Sequence, residues 1–174
     1  ESYQPKTILE RDEEIDAYSH ALQDVLFGRE PENIFLYGKA GLGKTAVTRY
    51  MMDELQSEVK QRDETTDLSI HQVNCNGSTL FMVVRRLVNT LLPDTASSFP
   101  KRGLGTGDAF DELYRQLDRI GGTHLFVFDE IDHLDDVDTL LYELSRARSN
   151  GHISDAQVGI IGISNDYTFR QSLS

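Results

Sequence analysis

The chain has 174 residues, 39% of them hydrophobic, enough for one compact domain with a real core and too little for two. No apolar run nears the ~20 residues that span a bilayer, the opening ESYQPKTILERDEE is too polar for a signal peptide, and the lone Cys75 excludes an internal disulfide, so a soluble cytoplasmic protein with an inert, buried thiol is expected. The formal charge of -12, with 5 Lys against 12 Arg, repels nucleic acid overall and suits a high-salt cytoplasm, where screening leaves local Arg and Lys placement to decide any phosphate contact.

In chain order, residues 8–27 put Ile8, Ile15, Tyr18, Leu22, Val25 and Leu26 on one helical stripe, with acids near its start and Gly28 as the stop. Ile34–Tyr37 (IFLY) reads as a buried central strand, followed by a helix over Lys44–Arg62 and a strand over Leu68–Asn74. An apolar helix over Thr79–Leu92 stops at Pro93. Residues 93–107, PDTASSFPKRGLGTG, read as a loop or a mobile insertion. A helix over Ala109–Ile120, a strand over His124–Phe128, a helix over Val137–Arg148 and a strand over Gln157–Ser164 complete the series. Strand and helix alternate, which predicts an α/β fold with a parallel sheet flanked by helices.

The first strand runs into GKAGLGKT, Gly38 to Thr45, an unbroken G-x-x-x-x-G-K-[ST] between a strand and a helix. Gly38, Gly41 and Gly43 let the backbone turn tightly and aim a row of N–H groups at phosphate oxygens, at the positive end of the next helix. Lys39, Ala40, Leu42 and Ala46 complete this cradle, Lys44 reaches the β and γ phosphates, and the Thr45 hydroxyl is a magnesium ligand. A nucleoside triphosphate with Mg2+ is implied.

The stretch LFVFDEIDHLDD places five carboxylates in eight positions. LFVF ending at Asp129 resembles the Walker B strand of P-loop ATPases, whose acid holds magnesium through water, and Glu130 is then placed to polarise the water that attacks the γ phosphate. The competing reading is that these acids cap the next turn. Asp135 and Asp136 are expected to supply the N-cap and first-turn charge of the following helix, while Asp132 receives no chemical role. VGIIGIS delivers Asn165 to the same sheet edge as Asp129, where it can bond the γ phosphate, orient water, or merely form a turn.

Together NIFLYG, GKAGLGKT, LFVFDEIDHL and GISND resemble the AAA+ ATPases of the replication-initiator clade, in particular the archaeal origin recognition and cell division control protein six family. The resemblance implies a three-layer P-loop NTPase base over residues 1–174, with ATP or ADP and Mg2+ as ligands. It puts the YQP and LERDEEID segments near the adenine, hence Tyr3, Pro5 and Arg11, and makes Asn165 the sensor one residue. It also makes residues 81–107 an initiator insertion that touches origin double-stranded DNA. Arg85, Arg86, Lys101 and Arg102 gather there, as phosphate contacts or as an ordinary solvated helix face and loop.

Such a domain continues past Ser174 to a fifth strand, an arginine finger, a lid and a winged-helix domain, and Arg170 is too near sensor one to be that finger. The function implied is an ATP-driven switch for origin recognition and helicase loading, partnered by origin DNA and by a replicative helicase or other initiator subunits, with no membrane role and slow hydrolysis in isolation. The alternatives are a clamp-loader-like or remodelling AAA+ subunit and a phosphotransferase using the same loop.

Overall fold

The computed structural model describes residues 16, 18–37 and 43–165. Helix α1 covers residues 18–26 and the chain turns away at Gly28, whose φ of 66° suits a residue without Cβ; the expected start at Ile8 lies outside the described residues. Next come β1 (Ile34–Tyr37), α2 (Lys44–Arg62) and β2 (Leu68–Asn74), with the boundaries the sequence implies. Helix α3 (Leu80–Leu91) is capped by Thr79, whose Oγ1 accepts the Met82 N–H at 3.2 Å, and it ends where Leu92 turns extended before Pro93. Helix α4 (Thr106–Ile120), β3 (Gly122–Asp129), a single 3-10 turn (Ile131–His133), α5 (Val137–Ser145) and β4 (Ala156–Ser164) complete the order.

The four strands form one parallel sheet in the order β1-β4-β3-β2. Side chains alternate across it. Leu125, Val127, Ile161 and Ile163 point to one face, where Ala21, Leu22 and Val25 of α1 and Met52, Leu55 and Val59 of α2 cover them. Phe126, Phe128, Val158 and Ile160 point to the other, under α3, α4 and α5. Burying each such side chain contributes about 1.5–3 kcal/mol, so the two sealed faces fix the register on which the strand ends depend. Strand β4 has no side chain where its neighbours press hardest: a Cβ on Gly162 would lie 2.7 Å from Phe35 Cδ1, and one on Gly159 would lie 2.8 Å from Leu125 Cδ2 and Pro31 Cβ.

Several ends differ from the sequence reading. Helix α4 begins at Thr106 rather than Ala109, because the Gly105 N–H donates to Asp108 Oδ2 at 2.8 Å and the Gly105 carbonyl accepts the Ala109 N–H, so an apparent breaker serves as the cap. Strand β3 is longer at both ends, since Thr123 already pairs with the Asp67 carbonyl. Helix α5 stops at Ser145 rather than Arg148, whose guanidinium instead donates to the Ser154 and Ala156 carbonyls, both at 2.8 Å. The 93–105 loop is pinned at its centre: Phe99 is buried, its N–H donates to Asn89 Oδ1 at 2.7 Å and its carbonyl accepts Arg85 Nε at 2.9 Å.

Two histidines join β2 to β3 inside the sheet. His124 is fully buried; its Nε2 lies 2.9 Å from the Gly121 carbonyl and must donate there, which leaves Nδ1 to accept from His71 Nε2 at 3.1 Å. Burial, and then His124 alongside, push the His71 imidazole down to about 4; burial also lowers His124.

Candidate functional site

The strands all end at one edge of the sheet, and the polar motif residues collect there. Tyr37, the last residue of β1, pairs in register with Ser164 of β4, and Asn74 of β2 with Asp129 of β3. Helix α2 starts at this edge. Gly43, with φ 72°, turns the chain into the helix, no side chain caps that first turn, and it contains no acid. The positive end of the helix dipole lies at this edge and favours an anion there. Lys44 is buried in the same turn, 7% exposed, so its charge is held at the edge.

The Thr45 hydroxyl donates to Asp129 Oδ2 at 2.7 Å, which joins the first turn of α2 to the end of β3 across 84 positions of sequence. Two hard oxygen donors converge beside an anion-receptive helix end, a donor set that suits Mg2+, which takes one or two protein oxygens and fills its octahedron with phosphate and water. Asp129 Oδ1 is also engaged, accepting the Glu130 N–H at 2.8 Å.

Glu130 leaves the strand rather than alternating along it. Its φ of 51° and ψ of 43° make it the one non-glycine residue in the left-handed region among the described residues. Such a backbone costs about 1–3 kcal/mol and persists where its surroundings over-determine it. Here the Glu130 carbonyl accepts the His133 N–H at 3.0 Å, Ile131 is fully buried beneath the turn, and the Cys75 N–H holds the Asp129 carbonyl at 2.9 Å. His133 Nε2 is 4.0 Å from Glu130 Oε1 and 3.7 Å from Asp132 Oδ2, too far for hydrogen bonds and attractive only when protonated.

The remaining acids divide differently from expectation. Asp136 sits at the N-cap of α5 but caps no backbone group; its Oδ1 accepts the Thr139 hydroxyl at 2.9 Å, and the first-turn acid is Asp138. Asp135 Oδ1 accepts two backbone N–H groups, from Asp136 at 2.9 Å and from Leu80, the first residue of α3, at 3.2 Å. Asp135 therefore serves another helix than its own, a contact no local pattern reveals. Asp132 points one oxygen, Oδ1, into the interior, where it has no hydrogen-bond partner among the described residues. Asn165 is exposed, in the bend directly after β4. Cys75 is buried, and burial pushes its thiol up to about 12 against the pull of Arg86.

Of the basic residues, Arg85 is used in folding, through Phe99. Arg86 is exposed, with Nη1 3.4 Å from the Asn74 carbonyl. Both line one open groove on α3 with Phe81, Met82 and Lys101, while Arg102 is exposed on the loop beyond. Tyr3, Pro5, Arg11, Gly38, Lys39, Ala40, Gly41 and Leu42 lie outside the described residues; Ala46 follows Thr45 in the first turn of α2. No helix among the described residues is long and apolar enough to cross a membrane.

An AAA domain model matches residues 28–165. ORC1-type DNA replication protein 8 of Halobacterium salinarum is 52% identical over 173 residues, covering 99% of this chain and 44% of that protein. ORC1-type DNA replication protein 15 of Haloarcula marismortui is 51% identical over 174 residues, covering 99% of this chain and 42% of that protein. Among solved structures, the Aeropyrum pernix ORC1 protein in complex with DNA superimposes with a TM-score of 0.77 and 27% identity over 94% of this chain and 41% of its own. The chain spans less than half the length of each. A parallel α/β sheet with its polar residues at the strand ends, an AAA match over most of its length and relatives at half identity lead to one assignment: the chain belongs to the AAA family, in the group shared with the ORC1-type DNA replication proteins.

Proposed function

We propose that this chain is the Mg2+-dependent ATP-binding and hydrolysing base of a DNA replication initiator, a switch whose nucleotide state governs origin recognition and helicase loading. The observation that carries the reading is the 2.7 Å contact between Thr45 Oγ1 and Asp129 Oδ2, which brings two motifs 84 positions apart to one point beside an uncapped helix end. In this reading the backbone of the 38–46 loop and the Lys44 ammonium bind the phosphates, Thr45 and Asp129 hold the cation, and Asn165 orients the γ phosphate or the attacking water. Mg2+ held by Thr45 and Asp129 would supply positive charge to offset the negative charge of the phosphates. Glu130 takes the proton of the water whose oxygen attacks the γ phosphorus, as the bond to the β–γ bridging oxygen breaks. In this reading Asp129 serves the cation and Glu130, on its left-handed backbone, serves the water.

The structure of Aeropyrum pernix ORC1 in complex with DNA supports assigning origin double-stranded DNA as the partner of the full-length protein. The α3 groove with Arg85, Arg86 and Lys101, and the neighbouring Arg102, is the basic part of an initiator-type insertion over residues 81–107. Lid and DNA-reading domains beyond this base, and a helicase or initiator-subunit partner, belong to the same proposal.

The test is Glu130→Gln. ATP binding is expected to survive while turnover falls by about 10²–10⁴-fold, measured as phosphate release and as ATP retained on the protein. Turnover equal to that of the unaltered chain would sink the hydrolytic assignment.

A further inference from the structure

The turn that carries Glu130 is fastened at both ends to the connection between β2 and α3. At the near end the Cys75 N–H donates to the Asp129 carbonyl at 2.9 Å. At the far end Asp135 Oδ1 accepts the Leu80 N–H at 3.2 Å, across 55 positions of sequence, and the Asp136 N–H at 2.9 Å. Helix α3 does not need that carboxylate to begin, because Thr79 already caps it through the Met82 N–H. The Asp135 bond is a second attachment, supplied from the segment that follows the strained residue. Between the two fastenings Ile131 and Leu134 sink into the same core cluster as Leu80, which leaves the turn little room to relax.

We propose that Asp135 is a positioning residue for hydrolysis: it ties the Glu130 turn to the first turn of α3 and so fixes the direction of the Glu130 carboxylate. This rests on the reading of Glu130 as the group that polarises water. Asp135 touches no reacting atom and lies outside the phosphate loop, so the tie acts on the chemical step and leaves nucleotide affinity alone. Water activation is steep in geometry, and a small loosening of the turn is felt in turnover before it is felt in binding.

The experiment compares Asp135→Ala, Asp135→Asn and Glu130→Gln in the full chain, reading kcat and KM for ATP hydrolysis and the melting temperature. Asp135→Ala is expected to lower kcat by ~10-fold at unchanged KM. Asp135→Asn keeps an Oδ1 acceptor for both N–H groups and is expected to recover most of kcat. A kcat within about twofold of the unaltered chain for Asp135→Ala overturns the proposal, as does an Asn variant no better than the Ala variant. A parallel loss of nucleotide affinity and melting temperature also overturns it, marking Asp135 as a merely structural cap. Glu130→Gln separates the two levels. If its turnover is normal, the reading of Glu130 fails; if it is inactive while Asp135→Ala turns over normally, only the tie fails.

Discussion

Two polar regions of this molecule use their charges in opposite ways. At the sheet edge, Thr45, Asp129 and Glu130 are linked by side-chain hydrogen bonds, and Glu130 is held in a backbone conformation that a non-glycine residue disfavours. On the α3 and α4 side, guanidinium groups are spent on main-chain carbonyls: Arg85 on Phe99, Arg119 on Leu91 and Arg148 on Ser154 and Ala156. The first arrangement costs stability and suits a ligand; the second satisfies main-chain acceptors and suits the fold. A cluster of basic residues in a sequence therefore does not by itself mark a nucleic-acid surface.

Three measurements sharpen or break that contrast. The largest effect is expected at the edge: Lys44→Ala removes the charged phosphate contact proposed for it, worth about 3 kcal/mol, so ATP affinity should fall by ~100-fold in a titration. Nucleotide binding at normal affinity would remove the edge from the functional side of the comparison. Arg85→Ala should do the reverse. Leaving the Phe99 carbonyl without its partner costs about 1–3 kcal/mol, visible as a lower urea midpoint with ATP affinity unchanged.

The smallest expected effect is a slope with pH, and its sign is fixed by His71 and His124. Both imidazoles are held below the ordinary histidine value in the folded chain, His71 at about 4, so the unfolded chain binds more protons between about 6.5 and 4. Stability is full above pH 6.5 and is lost as pH falls through that window. Urea midpoints from pH 7 to 4.5 should show the slope, and His71→Gln should flatten it.

Much of the fold was legible because its signals are local. IFLY and QVGIIGIS are short apolar runs and LSIHQVN mixes apolar with polar residues, and the 44–62 helix begins where its glycine loop ends. Thr45 and Asp129 were singled out for the same reason, since each stands in a short motif of fixed spacing, and the structure brings the two together. What escaped were contacts between distant segments. The glycines at 105 and 107 read as breakers until Asp108 is seen capping the turn, and the 93–105 loop reads as mobile until Asn89 and Arg85 are seen holding Phe99. Asp135 looked like the start of its own helix and holds the start of α3 as well. The left-handed turn at Glu130 is also invisible in sequence, because glutamate has no preference for it.

That turn also bears on how the protein tolerates change. Glycine at position 130 would adopt the same backbone without penalty, so substitution there would make the fold sturdier while deleting the carboxylate. Under the role proposed for Glu130, engineering or drift toward robustness is opposed at this one residue by nucleotide turnover, and a screen for thermal resistance alone would select variants that hold ATP but do not consume it.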